Sequence, residues 1–181
     1  MISSQLIYRI QKFIGRLIYP YQHVLGLRLC GANVGQNVFI GDNVSFELEH
    51  SPQLTIEDEV VIAHHSSLIF HDSSLNNIQG FPVLVGKIIL KKNCYLGAHV
   101  IVLPGTIVGS NALVGAGSII KGTLDANTVY VGQPAKPIES VQKLSKKWQA
   151  KYPNSLINLH PQPKWYQHAS STASPSPTHK D

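Results

Sequence analysis

From Leu90 the chain repeats with a period of six residues, as LKKNCY, LGAHVI, VLPGTI, VGSNAL, VGAGSI and IKGTLD. The first position is always aliphatic: Leu90, Leu96, Val102, Val108, Val114 and Ile120. The fifth is compact in Cys94, Val100, Thr106, Ala112 and Ser118, before a larger Leu124. Weaker units begin upstream at Val34, Ile40, Ile56, Ile62 and Leu68. A period of six is neither the helical 3.6 nor simple strand alternation. It marks a repeat architecture. Each unit reads as a short strand plus a corner, and three units close a triangular coil. Each coil pairs its backbone with the coils beside it, about 4.8 Å away. First positions point inward, crowded corners demand small fifth positions, and Gly and Asn supply the tight turns. Eighteen residues per coil then stack Leu90 on Val108, Leu96 on Val114 and Val102 on Ile120. A β-sandwich with coincidental spacing is the alternative, and six in-phase units weigh against it.

The flanks have other patterns. Residues 4–19 read as a helix with Leu6, Ile7, Ile10, Phe13, Ile14, Leu17 and Ile18 on one face and Arg9, Lys12 and Arg16 on the other. Pro20 stops it. A second helix is expected over 139–151, after Pro134-Ala-Lys-Pro137. Such terminal elements cover the bare strand edges of an open β-helix. The sequence thus divides into an N-terminal helix and connector (1–30), a β-helix (31–138), a helical extension (139–167) and a Ser/Pro/Thr-rich tail (168–181) expected to be disordered.

Charge alters this picture only at the ends. The net charge of +5 comes from residues 1–30, which hold four basic residues and no acid, and from five lysines in 140–164. That argues against a nucleic-acid face on the core and for anionic partners near the termini. The cationic helix face also allows peripheral contact of 4–19 with an anionic membrane. Two cysteines, Cys30 and Cys94, form neither a disulfide framework nor a metal spacing, which suits the cytoplasm. No apolar run approaches the roughly 18–20 residues of a membrane span, and no signal-peptide cleavage pattern is present.

The repeat breaks between Leu68 and Pro82, and His71-Asp72 stands at the break. Ile56, Ile62 and Leu68 make one coil, and Leu90, Leu96 and Val102 the next, so residues 73–86 must be a loop thrown out between coils. Long loops in repetitive scaffolds are usually functional.

Over roughly Asn33–Ile138 the sequence resembles the hexapeptide-repeat acyltransferases, left-handed parallel β-helices that move an acetyl group from acetyl-CoA to a hydroxyl or amine. It is nearest to the maltose/galactoside type and to O-acetyltransferases of capsule and surface polysaccharides. The resemblance rests on Phe70-His71-Asp72-Ser73, Tyr95–Gly105, Val114–Ile120 and Val131–Pro137. It implies a homotrimer with each site between two subunits, acetyl-CoA as donor, no metal, and a sugar or glycan acceptor. His71 takes the place of the catalytic base. Backbone at Gly97, Ala98 and Ala116 lines the pantetheine channel, and Lys136 meets a CoA phosphate. The family's Thr-Lys after Ser-Ile-Ile appears here as Lys121-Gly122, displaced by one, with Lys121 still a candidate phosphate contact. Glu59 stands where an acceptor-binding Asn is common, and His65 is a further candidate for the acceptor cleft.

The chemistry needs what His71 offers. A sugar hydroxyl attacks a thioester poorly until its proton is removed, and imidazole is suited to that near neutrality. Asp72 orients His71 if the chain turns there. A backbone N–H near Gly97 or Ala98 is the candidate oxyanion donor. Cys94, at a compact fifth position, reads as core and not as a nucleophile. Three other functions stay open: N-acetylation of an amino sugar or antibiotic, a non-catalytic assembly module, and a β-helical carbonic anhydrase. The last would need three zinc-binding histidines, and its close pair finds only Cys94 and His99 here.

Overall fold

The computed structural model describes residues 9–11, 13, 14 and 23–155. Three parallel sheets run around a prism. The first face stacks Asn33–Val34, Leu54–Ile56, Ile88–Leu90, Ile107–Val108 and Thr123–Leu124. The second stacks Phe39–Ile40, Val61–Ile62, Tyr95–Leu96, Leu113–Val114 and Thr128–Gly132. The third stacks Ser45–Phe46, Ser67–Leu68, Ile101–Val102 and Ile119–Ile120. Four coils close and a fifth is partial. The register is the one the period dictates: Leu90 pairs with Val108, Leu96 with Val114 and Val102 with Ile120.

Burial follows position within the unit. The six first-position residues from Leu90 to Ile120 are at most 1% exposed. The fifth positions Cys94, Val100, Thr106, Ala112 and Ser118 are equally buried, and Leu124 is 4% exposed. Each aliphatic side chain so buried contributes about 1.5–3 kcal/mol. The polar members are satisfied locally: the Thr106 hydroxyl donates to the Leu103 carbonyl (2.6 Å), and the Ser118 hydroxyl accepts the Gly132 N–H (3.1 Å). Gly97 shows how tightly the coils stack, since a Cβ there would lie 2.5 Å from the Ala116 backbone nitrogen.

The corners use left-handed backbone. The first edge carries Asn37, Glu59, Asn93, Asn111 and Asn127 at φ of 54–63°, and the second carries Asn43, His65 and His99 at 57–61°, then Gly117. Asn and His tolerate this region better than most residues. Asn93, Asn111 and Asn127 link their side-chain amides into a ladder at 2.8 and 3.0 Å. On the third edge Gly105 and Gly122 turn the later coils, whereas the first two coils leave the prism there.

Both ends are capped. The helix His23–Leu29 buries Leu27 fully, and Arg28 donates through Nε and Nη2 to the Val34 carbonyl at 3.0 and 2.8 Å. Ile10, Phe13 and Ile14 of the expected N-terminal helix do lie in helix but are 48%, 70% and 43% exposed. The rest of 4–19 lies outside the described residues. At the other end Ala135–Ser140 folds back antiparallel on Thr128–Gly132 and leads into the helix Val141–Lys151, capped by Ser140 Oγ accepting the Lys143 N–H at 3.2 Å. The 168–181 tail also lies outside the described residues. Among those residues no helix is long and apolar enough to cross a membrane.

Candidate active site

The break in the repeat is a closed and ordered excursion. His71–Asp72 pairs antiparallel with Leu84–Val85, and the Gly86 N–H donates to the Phe70 carbonyl at 2.9 Å. Between them lies a helix, Ser74–Gln79, which ends at a left-handed Gly80 (φ 67°). The expected loop therefore contains a strand pair and a helical turn. Phe70 is fully buried and anchors the root against the core, so the next residue, His71, is fixed at the prism's third edge.

An unforeseen residue meets it there. Glu47 Oε2 lies 2.9 Å from His71 Nδ1 and also accepts the Phe70 backbone N–H at 2.9 Å. Glu47 precedes the 3-10 helix Leu48–Gln53, where the first coil leaves the prism at the same edge. His50, on that helix, sets its ring 5.4 Å from His71 and stacks on Phe70 at 6.4 Å. One donor atom from each of Glu47, His50 and His71 lies within 4.8 Å of the others, and all three residues are half-buried. The sequence carried a signal for this: the repeat is interrupted twice, and residues 46–55 are the second interruption.

Asp72 does not orient His71. On an extended pair, neighbouring side chains face opposite ways. Asp72 Oδ1 instead accepts the Ser74 N–H at 2.9 Å. The Ser74 side chain and then its backbone N–H hold the Asp72 carboxyl below its usual pKa, with smaller help from Lys121 and His71. An acidic partner for His71 exists, but it comes from the preceding coil.

The other candidates are dispersed around the prism. Lys121 stands on the third edge, one residue before the corner Gly122, with Asp72 within its field. Gly97, Ala98 and Ala116 lie along the second edge, and the Gly97 N–H is spent on the Val114 carbonyl at 2.8 Å. Gly97 is thus no oxyanion donor. His65 is on the second edge too, exposed, its ring stacked on His99 at 4.9 Å. Glu59 is on the first edge, 3.6 Å from Lys92 Nζ. Lys136 is exposed in the final strand, beside Val131. Within one chain, Glu59 and His65 therefore stand on other edges than His71.

Cys94 is wholly buried, and desolvation pushes its thiol up to about 12, so it is no nucleophile at neutral pH. Buried Cys94 and exposed His99 do not form the carbonic-anhydrase pair. Among the described residues the sole three-residue group with metal-ligand spacing is Glu47–His50–His71.

Comparison with known proteins agrees with this architecture. Residues 87–122 match the bacterial transferase hexapeptide family (six repeats). An Escherichia coli K12 protein provisionally named as the lipopolysaccharide biosynthesis O-acetyl transferase WbbJ is 40% identical over 140 residues, covering 69% of this chain and 71% of its own. The galactoside O-acetyltransferase of the same organism is 28% identical over 121 residues, covering 63% of this chain and 56% of its own. A hexapeptide-repeat-containing acetyltransferase from Vibrio cholerae has a similar fold, with a TM-score of 0.58 at 16% identity, covering 77% of this chain and 94% of its own. These likenesses bear out the left-handed parallel β-helix.

Proposed function

The chain belongs to the hexapeptide-repeat acetyltransferase family, and on that premise we propose that it transfers the acetyl group of acetyl-CoA to a sugar hydroxyl in surface-glycan synthesis. The observation that carries this reading is the contact between His71 Nδ1 and Glu47 Oε2. An ionised carboxylate only accepts, so it keeps the proton of a neutral imidazole on Nδ1 and leaves the Nε2 lone pair free. Nε2 takes the acceptor's hydroxyl proton as the oxygen attacks the thioester carbonyl. The tetrahedral adduct collapses with cleavage of the C–S bond, and Nε2–H returns the proton to the departing thiolate. Glu47 orients the ring and stabilises the imidazolium between these steps. No acetyl-enzyme forms.

The donor comes in along the second edge of a neighbouring copy. Gly97, Ala98 and Ala116 offer it a narrow wall of small residues, and Lys136 and Lys121 meet its phosphates. Since one chain carries this wall and His71 on different edges, a cyclic trimer supplies both to each site. Glu59 and His65 would serve the acceptor only from such a neighbour. The protein works at the cytoplasmic side of a membrane, where exposed Ile10, Phe13 and Ile14 support a peripheral contact.

An acceptor panel tests this reading. With acetyl-CoA supplied, free thiol should be released faster with a sugar or glycan present than with water alone. Acceleration by amines alone would move the function to N-acetylation, and none with any acceptor would remove it.

A further inference from the structure

We propose that Glu47, His50 and His71 form a binding site for one divalent transition-metal ion, with zinc as its representative, and that filling the site reversibly stops acetyl transfer. The binding half stands on geometry; the inhibitory half rests on His71 being the base.

Two of the ligands share one turn. The His50 N–H donates to the Glu47 carbonyl at 2.8 Å, the i to i+3 bond of a 3-10 helix. Glu47 is the N-cap of that helix, so this bond holds it one turn from His50, and their ligand atoms lie within 4.8 Å of each other. His71 comes across from the next coil, held by buried Phe70 beside it. The Phe70 N–H fixes the Glu47 carboxylate, and the Phe70 ring supports His50.

The spacing suits a small ion. Bonds of about 2.0–2.2 Å place tetrahedral ligands roughly 3.3–3.5 Å apart. Glu47 Oε2 and His71 Nδ1 are 2.9 Å apart, so a small opening admits the ion between them. The donors of the trio lie within 4.8 Å, so His50 closes the remainder by a swing of at most ~1.5 Å. Two imidazoles and one carboxylate favour zinc and its first-row neighbours, while calcium and magnesium prefer oxygen sets. Three protein ligands leave a position open to solvent.

Occupation removes the base whichever nitrogen of His71 is used. A neutral imidazole has one lone pair. A metal on Nε2 takes it directly. A metal on Nδ1 leaves the proton on Nε2, which then accepts nothing, and separates Glu47 from the ring.

The test uses the untagged full chain, stripped with chelator. Zinc chloride is titrated by calorimetry and cobalt(II) chloride by visible absorption, and acetyl transfer is then followed against free zinc, each variant relative to its own rate in EDTA. Wild type should take one ion per chain with micromolar affinity, weakened at least tenfold in His50→Ala but not in His65→Ala, which breaks the exposed pair on the second edge. Inhibition should follow the same isotherm and reverse with EDTA. No stoichiometric binding, equal affinity in His50→Ala, or full turnover with the site filled would each overturn the proposal. Absence of acetyl transfer even in EDTA would count against the proposed function, and the titrations would still decide the site.

Discussion

Glu47 and His71 stand 24 residues apart on successive coils, yet their side chains meet at 2.9 Å. The same carboxylate oxygen accepts the N–H of Phe70 at 2.9 Å, so the acid is fixed by the backbone that carries the histidine. Glu47→Gln retains an oxygen for Phe70 but loses the charge that selects the tautomer. It should lower kcat by roughly 10–10³-fold, with the KM for acetyl-CoA and the melting temperature nearly unchanged. An unchanged kcat would show that Glu47 is only a structural tie.

Lys136 is exposed, so the proposed pairing with a CoA phosphate would be screened. Lys136→Ala should raise the KM for acetyl-CoA about fivefold, on the order of 1 kcal/mol, with little change in kcat and a smaller effect at high salt. A change in acceptor KM alone would place this lysine on the other substrate.

Cys94 should resist alkylation in the folded protein at pH 8 and react on unfolding, as read by mass spectrometry after iodoacetamide. Burial raises its thiol from 9.0 to about 12, so the thiolate is scarce in the native state. The sign for stability follows from linkage: this contribution is full below pH 9 and is lost as pH rises through 12. Rapid native labelling at pH 8 would contradict the buried fifth position.

Gly97→Ala should destabilise the fold by about 2–3 kcal/mol, because relief of the clash requires coils to part. The new Cβ meets backbone, with Ala116 N at 2.5 Å and Cα at 2.9 Å, and no side chain can yield. Chemical denaturation measures the loss, and a neutral result would mean that the coils stack more loosely.

What was legible in the sequence was whatever the period controls. Leu90 over Val108 and Leu96 over Val114 follow from eighteen-residue coils and inward first positions. His71 was legible because the period fails there. Glu47 was not, since its offset of 24 from His71 departs from that spacing and depends on a 3-10 turn that only tertiary packing selects. Asp72 misled through adjacency, because adjacent residues on a strand diverge. The short helix that brings Leu27 and Arg28 against the first strand was not legible, because its seven residues carry too little pattern to announce a cap.

His71→Ala carries the central claim, for the excursion matters to chemistry only if this imidazole takes the proton. Steady-state turnover with saturating acetyl-CoA and acceptor should fall by roughly 10²–10⁴, the usual contribution of a general base, while acetyl-CoA affinity and oligomeric state persist. Near-normal turnover by folded His71→Ala would contradict the account and leave the break in the repeat as an ordinary loop.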